Sequence, residues 1–149
     1  MQAVIFTGIQ ATGKSEFYKR RFFRTHIRLN LDMLRTRHRE QILLRACLQA
    51  KQRFVIDNTN PTRRERERYI ALAHEAGFKV VGYYFASSIE EALARNAGRA
   101  PDEQIPVGGI YATYHKLEMP SLDEGYDALF IVRIVEPGAF VVEEWQARD

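Results

Sequence analysis

The chain has 149 residues, 46% of them hydrophobic, one cysteine, four histidines and a formal net charge of +3. A chain of this size and composition is expected to fold as one domain, residues 1–149, burying roughly 70% of the surface its unfolded form exposes, and it does not look disordered. Cys47 alone cannot form an intrachain disulfide or a cysteine-based zinc site, the histidines lack metal-ligand spacing, and no apolar run approaches the roughly 20 residues of a membrane span.

Residues 2–7 are a short apolar run and read as a strand. The run leads straight into a glycine-rich loop and leaves no room for a leader segment, so a cytosolic protein without membrane contact is expected. The loop, Gly8-Ile9-Gln10-Ala11-Thr12-Gly13-Lys14-Ser15, fits GxxxxGK[ST] in full. Its glycines allow a tight turn and close backbone approach. Successive amides can then face phosphate oxygens, Lys14 can reach the β and γ phosphates, and the Ser15 hydroxyl can bind Mg²⁺. The motif lies between a predicted strand and a predicted helix (15–24), as its mechanism requires, and points to ATP or a similar nucleoside triphosphate. No guanine-reading NKxD follows, and the small size favours a kinase over a motor or assembly ATPase.

A second strand is predicted over 26–30 and a helix over 32–52. Asp32, at the carboxyl end of that strand, stands where open α/β folds bind ligands, and suits the base that orients or deprotonates an acceptor hydroxyl; it also suits the helix N-cap, and the two roles are compatible. Arg35, one turn on, can clamp a phosphate or the acceptor. The first half of this helix is basic (Arg35, Arg37, His38, Arg39). The second half (Ile42, Leu43, Leu44, Ala46, Cys47, Leu48) is expected to be buried.

The third strand, 53–57, closes on Asp57. This acid resembles a Walker B residue supporting the Mg²⁺ shell, or else makes turn hydrogen bonds with Thr59 or Asn60. In the next helix, 62–76, the charged run from Thr62 to Arg68 reads as a solvated, salt-bridged start, while Tyr69, Leu72, Ala73 and Ala76 share a face and Gly77 suits a left-handed cap. A strand over 79–86 and a helix over 88–98 follow, the helix opened by a Ser88–Glu91 capping box. Arg95 and Arg99, four apart and opposite Ile89 and Leu93, lead into a loop-like stretch. They are suited to a lid, about 95–107, that brings charge to a transferring phosphoryl group on closure. A strand over 128–135 and an edge strand over 140–145 complete an α/β fold: a parallel sheet covered by helices on both faces.

Four motifs in order resemble the polynucleotide 5′-hydroxyl kinase domain of the polynucleotide kinase/phosphatase family. They are GxxxxGKS, then Asn30-Leu31-Asp32-Met33-Leu34-Arg35, then VIDNTNPT from Val55 to Thr62, then Arg95-Asn96-Ala97-Gly98-Arg99. Arg68-Tyr69-Ile70 with Ala76-Gly77 is similar to the family's helix after DNTNP. Ile105-Pro106 is similar to its lid-to-helix junction, and the stretch from Tyr114 to Tyr126 to its C-terminal part. The resemblance covers nearly the whole chain and implies a P-loop kinase fold with a helical lid, ATP and Mg²⁺ as cofactors, and 5′-hydroxyl ends of DNA or RNA as acceptors. It implies that Lys14 and Ser15 hold ATP and metal, Asp32 is the general base, Arg35 binds the acceptor and Arg95 and Arg99 are the lid arginines. One departure stands out: the family commonly has Asn-Arg-Asp where this chain has Asn30-Leu31-Asp32, so one acceptor contact differs. No phosphatase or ligase segment is read here, so an end-healing partner is expected to act as a separate protein. The other readings are a small-molecule kinase for a nucleoside, sugar or antibiotic hydroxyl, and a nucleotide-binding module without transfer activity.

Overall fold

The apolar run Gln2–Thr7 forms β1 at the centre of a six-stranded sheet, in a computed structural model that describes residues 1–145. The strand order is β2-β3-β1-β4-β5-β6, with β2 at Ile27–Leu29, β3 at Phe54–Ile56, β4 at Lys79–Phe85, β5 at Ala128–Glu136 and β6 at Ala139–Glu144. β1 to β5 are parallel and β6 runs antiparallel to β5 along the edge, so the expected parallel sheet and edge strand are both present.

Both faces of the sheet are covered, which is why its strands read as apolar runs rather than alternating ones. On one face α1 (Lys14–Arg21) and the residue after it bring Phe17, Tyr18 and Phe22 against Phe6, Tyr83 and Phe85. On the other, α3 (Arg37–Ala50) and α4 (Arg63–Glu75) bring Leu44, Cys47, Tyr69, Ile70 and Ala73 against Ile5, Leu29 and Ile56. Two further helices, α5 (Ile89–Ala97) and α6 (Val107–Lys116), meet through Ala92 and Ile110, which pack on Ile9 of the phosphate loop. The start of α6, just past Ile105-Pro106, is where the resemblance implied a junction; its own sequence, with Gly108 and Gly109 in the first turn, carries little helical signal.

The helix expected over 32–52 is instead two. A four-residue α2 (Leu31–Leu34) ends at Arg35, whose φ of 74° breaks the spiral, and α3 begins anew with Thr36 as its N-cap, the Thr36 hydroxyl accepting from the Arg39 amide. A threonine serves a helix start better than a helix interior, because its side chain competes for backbone amides. Asp32 is not the cap of α2: Asn30 is, its Oδ1 accepting from Met33 N at 3.0 Å. In the second half of α3 only Leu44 and Cys47 are buried, Leu48 is partly buried, and Ile42, Leu43 and Ala46 remain exposed.

α4 ends as expected in a Schellman motif, with Gly77 at φ 83°, Gly77 N donating to His74 O, and Phe78 N donating to Ala73 O. The capping box at α5 is half made. Ser88 Oγ accepts from Glu91 N, but the Glu91 carboxylate turns to Arg95 at 3.6 Å. The charged start of α4 is not uniformly solvated either. Arg66 is fully buried and forks onto Glu124 at 2.8 and 3.1 Å, while its third nitrogen donates to Asn60 O.

Candidate functional site

The site forms at the carboxyl edge of the sheet, where the loops after β1, β2 and β3 meet. The phosphate loop needs left-handed backbone at Ala11 (φ 62°) and Gly13 (φ 88°). At Gly13 a Cβ would also come within 2.8 Å of the Ile134 side-chain end and 2.9 Å of the Phe140 ring, so any other residue would have to displace them as well as take up a strained backbone angle. Thr12 Oγ1 ties the turn to Ile9 O at 2.8 Å. The Lys14 ammonium folds back onto the carbonyls of Gly8 (2.8 Å) and Ile9 (2.7 Å), an arrangement that keeps a cation among the loop's own oxygens. Burial pushes its pKa down from 10.5 to about 8, against the opposing pull of Asp57.

The segment after β3 braces this loop. Gly8 N donates to Thr59 O, and Asn60 Nδ2 donates to Phe6 O from a backbone at φ 43°. Asp57 itself makes no side-chain bond to Thr59 or Asn60. Its Oδ2 accepts from Arg28 Nε at 2.7 Å, and the same guanidinium donates through Nη2 to Ser15 Oγ at 2.8 Å. The Walker-like Asp57 and the loop Ser15 therefore share one cation. A hydroxyl and a buried carboxylate held this close are the hard oxygen donors that Mg²⁺ takes alongside substrate phosphates, and the Arg28 guanidinium is direct evidence that the position suits positive charge, so the residues fit the ion.

Asn58 orients the other wall. Its Oδ1 accepts from Leu31 N at 2.9 Å, and its Nδ2 donates to the buried Glu40 carboxylate at 2.9 Å. Glu40 also accepts from Tyr69 Oη at 2.7 Å and from Arg37 at 3.2 Å, and burial raises the Tyr69 phenol well above its usual range. Through Asn58, this buried group fixes the backbone of the residue next to Asp32.

These walls enclose an open cleft of about 790 Å³, lined among others by Gln10, Lys14, Ser15, Asp32, Asp57 and Arg99. With Ala11, Thr12 and Gly13 of the loop, nine of the candidate residues thus share one space. Arg35 and Arg95 do not line it. Arg35 is exposed beyond the end of α2, and Arg95 reaches the phosphate loop from behind, within 3.4 Å of Ala11 O and 3.2 Å of Ser87 Oγ. The stretch expected to be a lid is closed on itself: the buried Asn96 pairs twice with the Ile105 backbone, at 2.8 Å each way, and Arg99 in the turn between them lines the cleft. Arg28, Glu40 and Arg66 were not singled out from sequence; Asn58 and Asn60 entered only within the VIDNTNPT run, Asn60 as a possible turn partner of Asp57 and neither as a brace of the site.

A family model described as an AAA domain matches residues 35–110, from the end of α2 into α6. The chain belongs to the AAA domain family. Over 129 residues, 84% of its length, this AAA-family chain is 27% identical to a bifunctional polynucleotide phosphatase/kinase of Schizosaccharomyces pombe, and it spans 32% of that relative. Among solved structures it is similar to Chaetomium thermophilum Kti12 in complex with ADP-AlF3, with a TM-score of 0.66, 14% identity and 88% of each chain covered. It is also similar to a gluconokinase from Sinorhizobium meliloti 1021, with a TM-score of 0.63, 15% identity, and 92% of this chain and 85% of the other covered. At such identities the likeness concerns the fold, and the fold is P-loop kinase-like.

Proposed function

We propose that this chain is a polynucleotide 5′-hydroxyl kinase that transfers the γ-phosphate of ATP to the 5′ hydroxyl of DNA or RNA. The observation that carries the reading is that Asp32 opens onto the same cleft as Lys14, Ser15 and Arg99. The likeness to a polynucleotide phosphatase/kinase over 84% of the chain directs it to nucleic acid ends.

The amides of the phosphate loop receive the ATP phosphates, and Lys14 leaves the Gly8 and Ile9 carbonyls for the β and γ oxygens. The Asp32 carboxylate accepts the proton of the 5′ hydroxyl as its oxygen attacks the γ phosphorus. The bond from that phosphorus to the β–γ bridging oxygen breaks and ADP leaves. Arg99 meets the charge on the transferring group, while Arg95 acts from behind through the loop carbonyl of Ala11. Ser15 and Asp57 would hold Mg²⁺, which would supply charge neutralisation to the nucleotide's phosphates. Arg35 is held at φ 74°, an uncommon backbone angle for a non-glycine residue; such strain clusters at functional sites, and this supports a contact between its exposed guanidinium and the acceptor's phosphates.

The test offers labelled ATP together with 5′-hydroxyl oligonucleotides and a panel of nucleosides, sugars and aminoglycoside hydroxyls. Labelled oligonucleotide ends are expected. Labelling of small molecules alone would overturn the reading in favour of a small-molecule kinase, for which the apolar Leu31 beside the base is the specific supporting feature. The KM for an oligonucleotide is expected to rise with salt, because the acceptor's backbone phosphates release counterions on meeting Arg35, Arg37 and Arg39. A KM unchanged between low and moderate salt would count against a polymeric acceptor.

ATP binding has its own pH signature. The ammonium must be charged to hold phosphate, yet free Lys14, with its pKa pushed down to about 8, has lost half of its charge near that pH. ATP affinity is therefore expected to fall as pH rises through 8, by up to about tenfold per pH unit, until the pKa of the bound form is reached. Proton uptake on binding should appear in that window when calorimetry is repeated in buffers of different ionisation enthalpy.

A further inference from the structure

We propose that Arg28 is a resident cation that holds the metal position until nucleotide and metal arrive together, so that Mg²⁺ alone binds poorly. This inference rests on the reading of Ser15 and Asp57 as the groups that face the ion. Asp57 is 2% exposed and lines the cleft. A carboxylate buried to this degree needs a positive partner, and the guanidinium of Arg28 supplies it at 2.7 Å while bonding Ser15 Oγ at 2.8 Å. The two contacts use the fork geometry of arginine, which keeps its charge at every physiological pH. Arg28 also spans the distance from β2, with its guanidinium carbon 5.9 Å from the centre of the Tyr18 ring, so it approaches along a wall and does not merely drift from solvent.

Guanidinium and divalent ion cannot occupy that place at once. Mg²⁺ gives up its water reluctantly and is usually held by one or two carboxylates plus substrate phosphates. With Asp57 the one carboxylate among the described residues that Arg28 bonds, and that carboxylate already paired, the bare ion has too few donors to displace Arg28. The phosphates of a nucleotide provide the missing ones. Displacement therefore couples metal binding to nucleotide binding through a single side chain, in the sense that a ligand shifts an equilibrium only by its preference for one state. No residue with this role was read from the sequence, and Arg28 lies outside the four motifs that carry the family resemblance.

The test titrates Mn²⁺ into the full chain without nucleotide, following free ion by electron paramagnetic resonance. The variants are Arg28→Met, Arg28→Gln, Arg28→Lys, Asp57→Asn and the Arg28→Met/Asp57→Asn pair. Arg28→Met and Arg28→Gln are expected to bind Mn²⁺ about tenfold more tightly than the unmodified chain, within the range of ordinary site–site coupling. Arg28→Lys should gain less because it keeps a charge there, and adding Asp57→Asn should abolish the gain. Mn²⁺ should also raise the melting temperature of Arg28→Met more than that of the unmodified chain, a readout independent of activity. If Asp57→Asn weakens Mn²⁺ binding while both neutral Arg28 variants match the unmodified chain, Arg28 does not compete and the inference fails while the metal reading stands. If Asp57→Asn changes nothing in either background, the assignment of Asp57 to the metal fails as well.

Discussion

Asp32→Asn is expected to lower kcat for phosphate transfer by about 10²–10⁴-fold, which corresponds to roughly 3–5 kcal/mol of transition-state stabilisation. The substitution keeps the shape of the side chain and removes only its ability to take a proton. It is a clean test because Asp32 has no structural duty that asparagine cannot meet: Asn30 caps α2, and Asn58 holds the backbone at Leu31. Asp32 is exposed and makes no ion pair among the described residues, so the melting temperature should stay close to that of the unmodified chain, as for most surface changes. The affinity for ATP should also change little, since the loop amides and Lys14 hold the nucleotide. A stopped-flow or quench measurement of single-turnover transfer, with ATP affinity measured in parallel, separates these effects. Retention of kcat in Asp32→Asn would remove the residue as base. Equal loss of ATP affinity would mean that it serves nucleotide binding instead.

What was legible in the sequence was what local rules govern. The phosphate loop, the Gly77 cap of α4 and the apolar strands each follow from residues within a few positions of one another, and all stand where the sequence puts them. The break at Arg35 was locally encoded too, by Thr36, but the basic and then apolar sequence around it has a helical period that runs straight across the break. The burial expected for Ile42 and Leu43 failed for a related reason: that half of the helix is apolar on more sides than the sheet can cover.

The residues that were missed have partners far along the chain. Arg28 reaches Ser15 and Asp57, 13 and 29 positions away, and Arg66 reaches Glu124, 58 positions away. Glu40 meets Tyr69 and Asn58, 29 and 18 positions away. A charged residue in a helix is ordinarily solvated, and spacing of three or four reveals only partners on the same helix. For the same reason the sequence offered Arg35 as a clamp for a phosphate or the acceptor and Arg95 and Arg99 as a pair of lid arginines, whereas of the three only Arg99 lines the cleft.

Arg66→Met is expected to destabilise the fold by about 3–5 kcal/mol, the usual consequence of leaving one partner of a buried ion pair without the other. The Arg66 and Glu124 side chains are 0% and 1% exposed, so water cannot replace the lost contact. At about 2–4 °C per kcal/mol for a chain of this size, the melting temperature should drop by roughly 6–20 °C. The damage should extend to the site, because Arg66 Nη1 donates to Asn60 O, and Asn60 in turn donates to Phe6 O immediately before the phosphate loop. The loss should therefore be accompanied by weaker ATP binding at temperatures where the variant is still folded. The charge can be removed at both ends: in Arg66→Met/Glu124→Leu no carboxylate is stranded, and much of the stability should return, since buried ion pairs are often matched by apolar residues of similar volume. Recovery of stability without recovery of ATP affinity would separate the two duties of Arg66, one to Glu124 and the other to Asn60. If Arg66→Met melted like the unmodified chain, the pair would be worth no more than a surface contact, and its bracing of the phosphate loop would have to be abandoned with it.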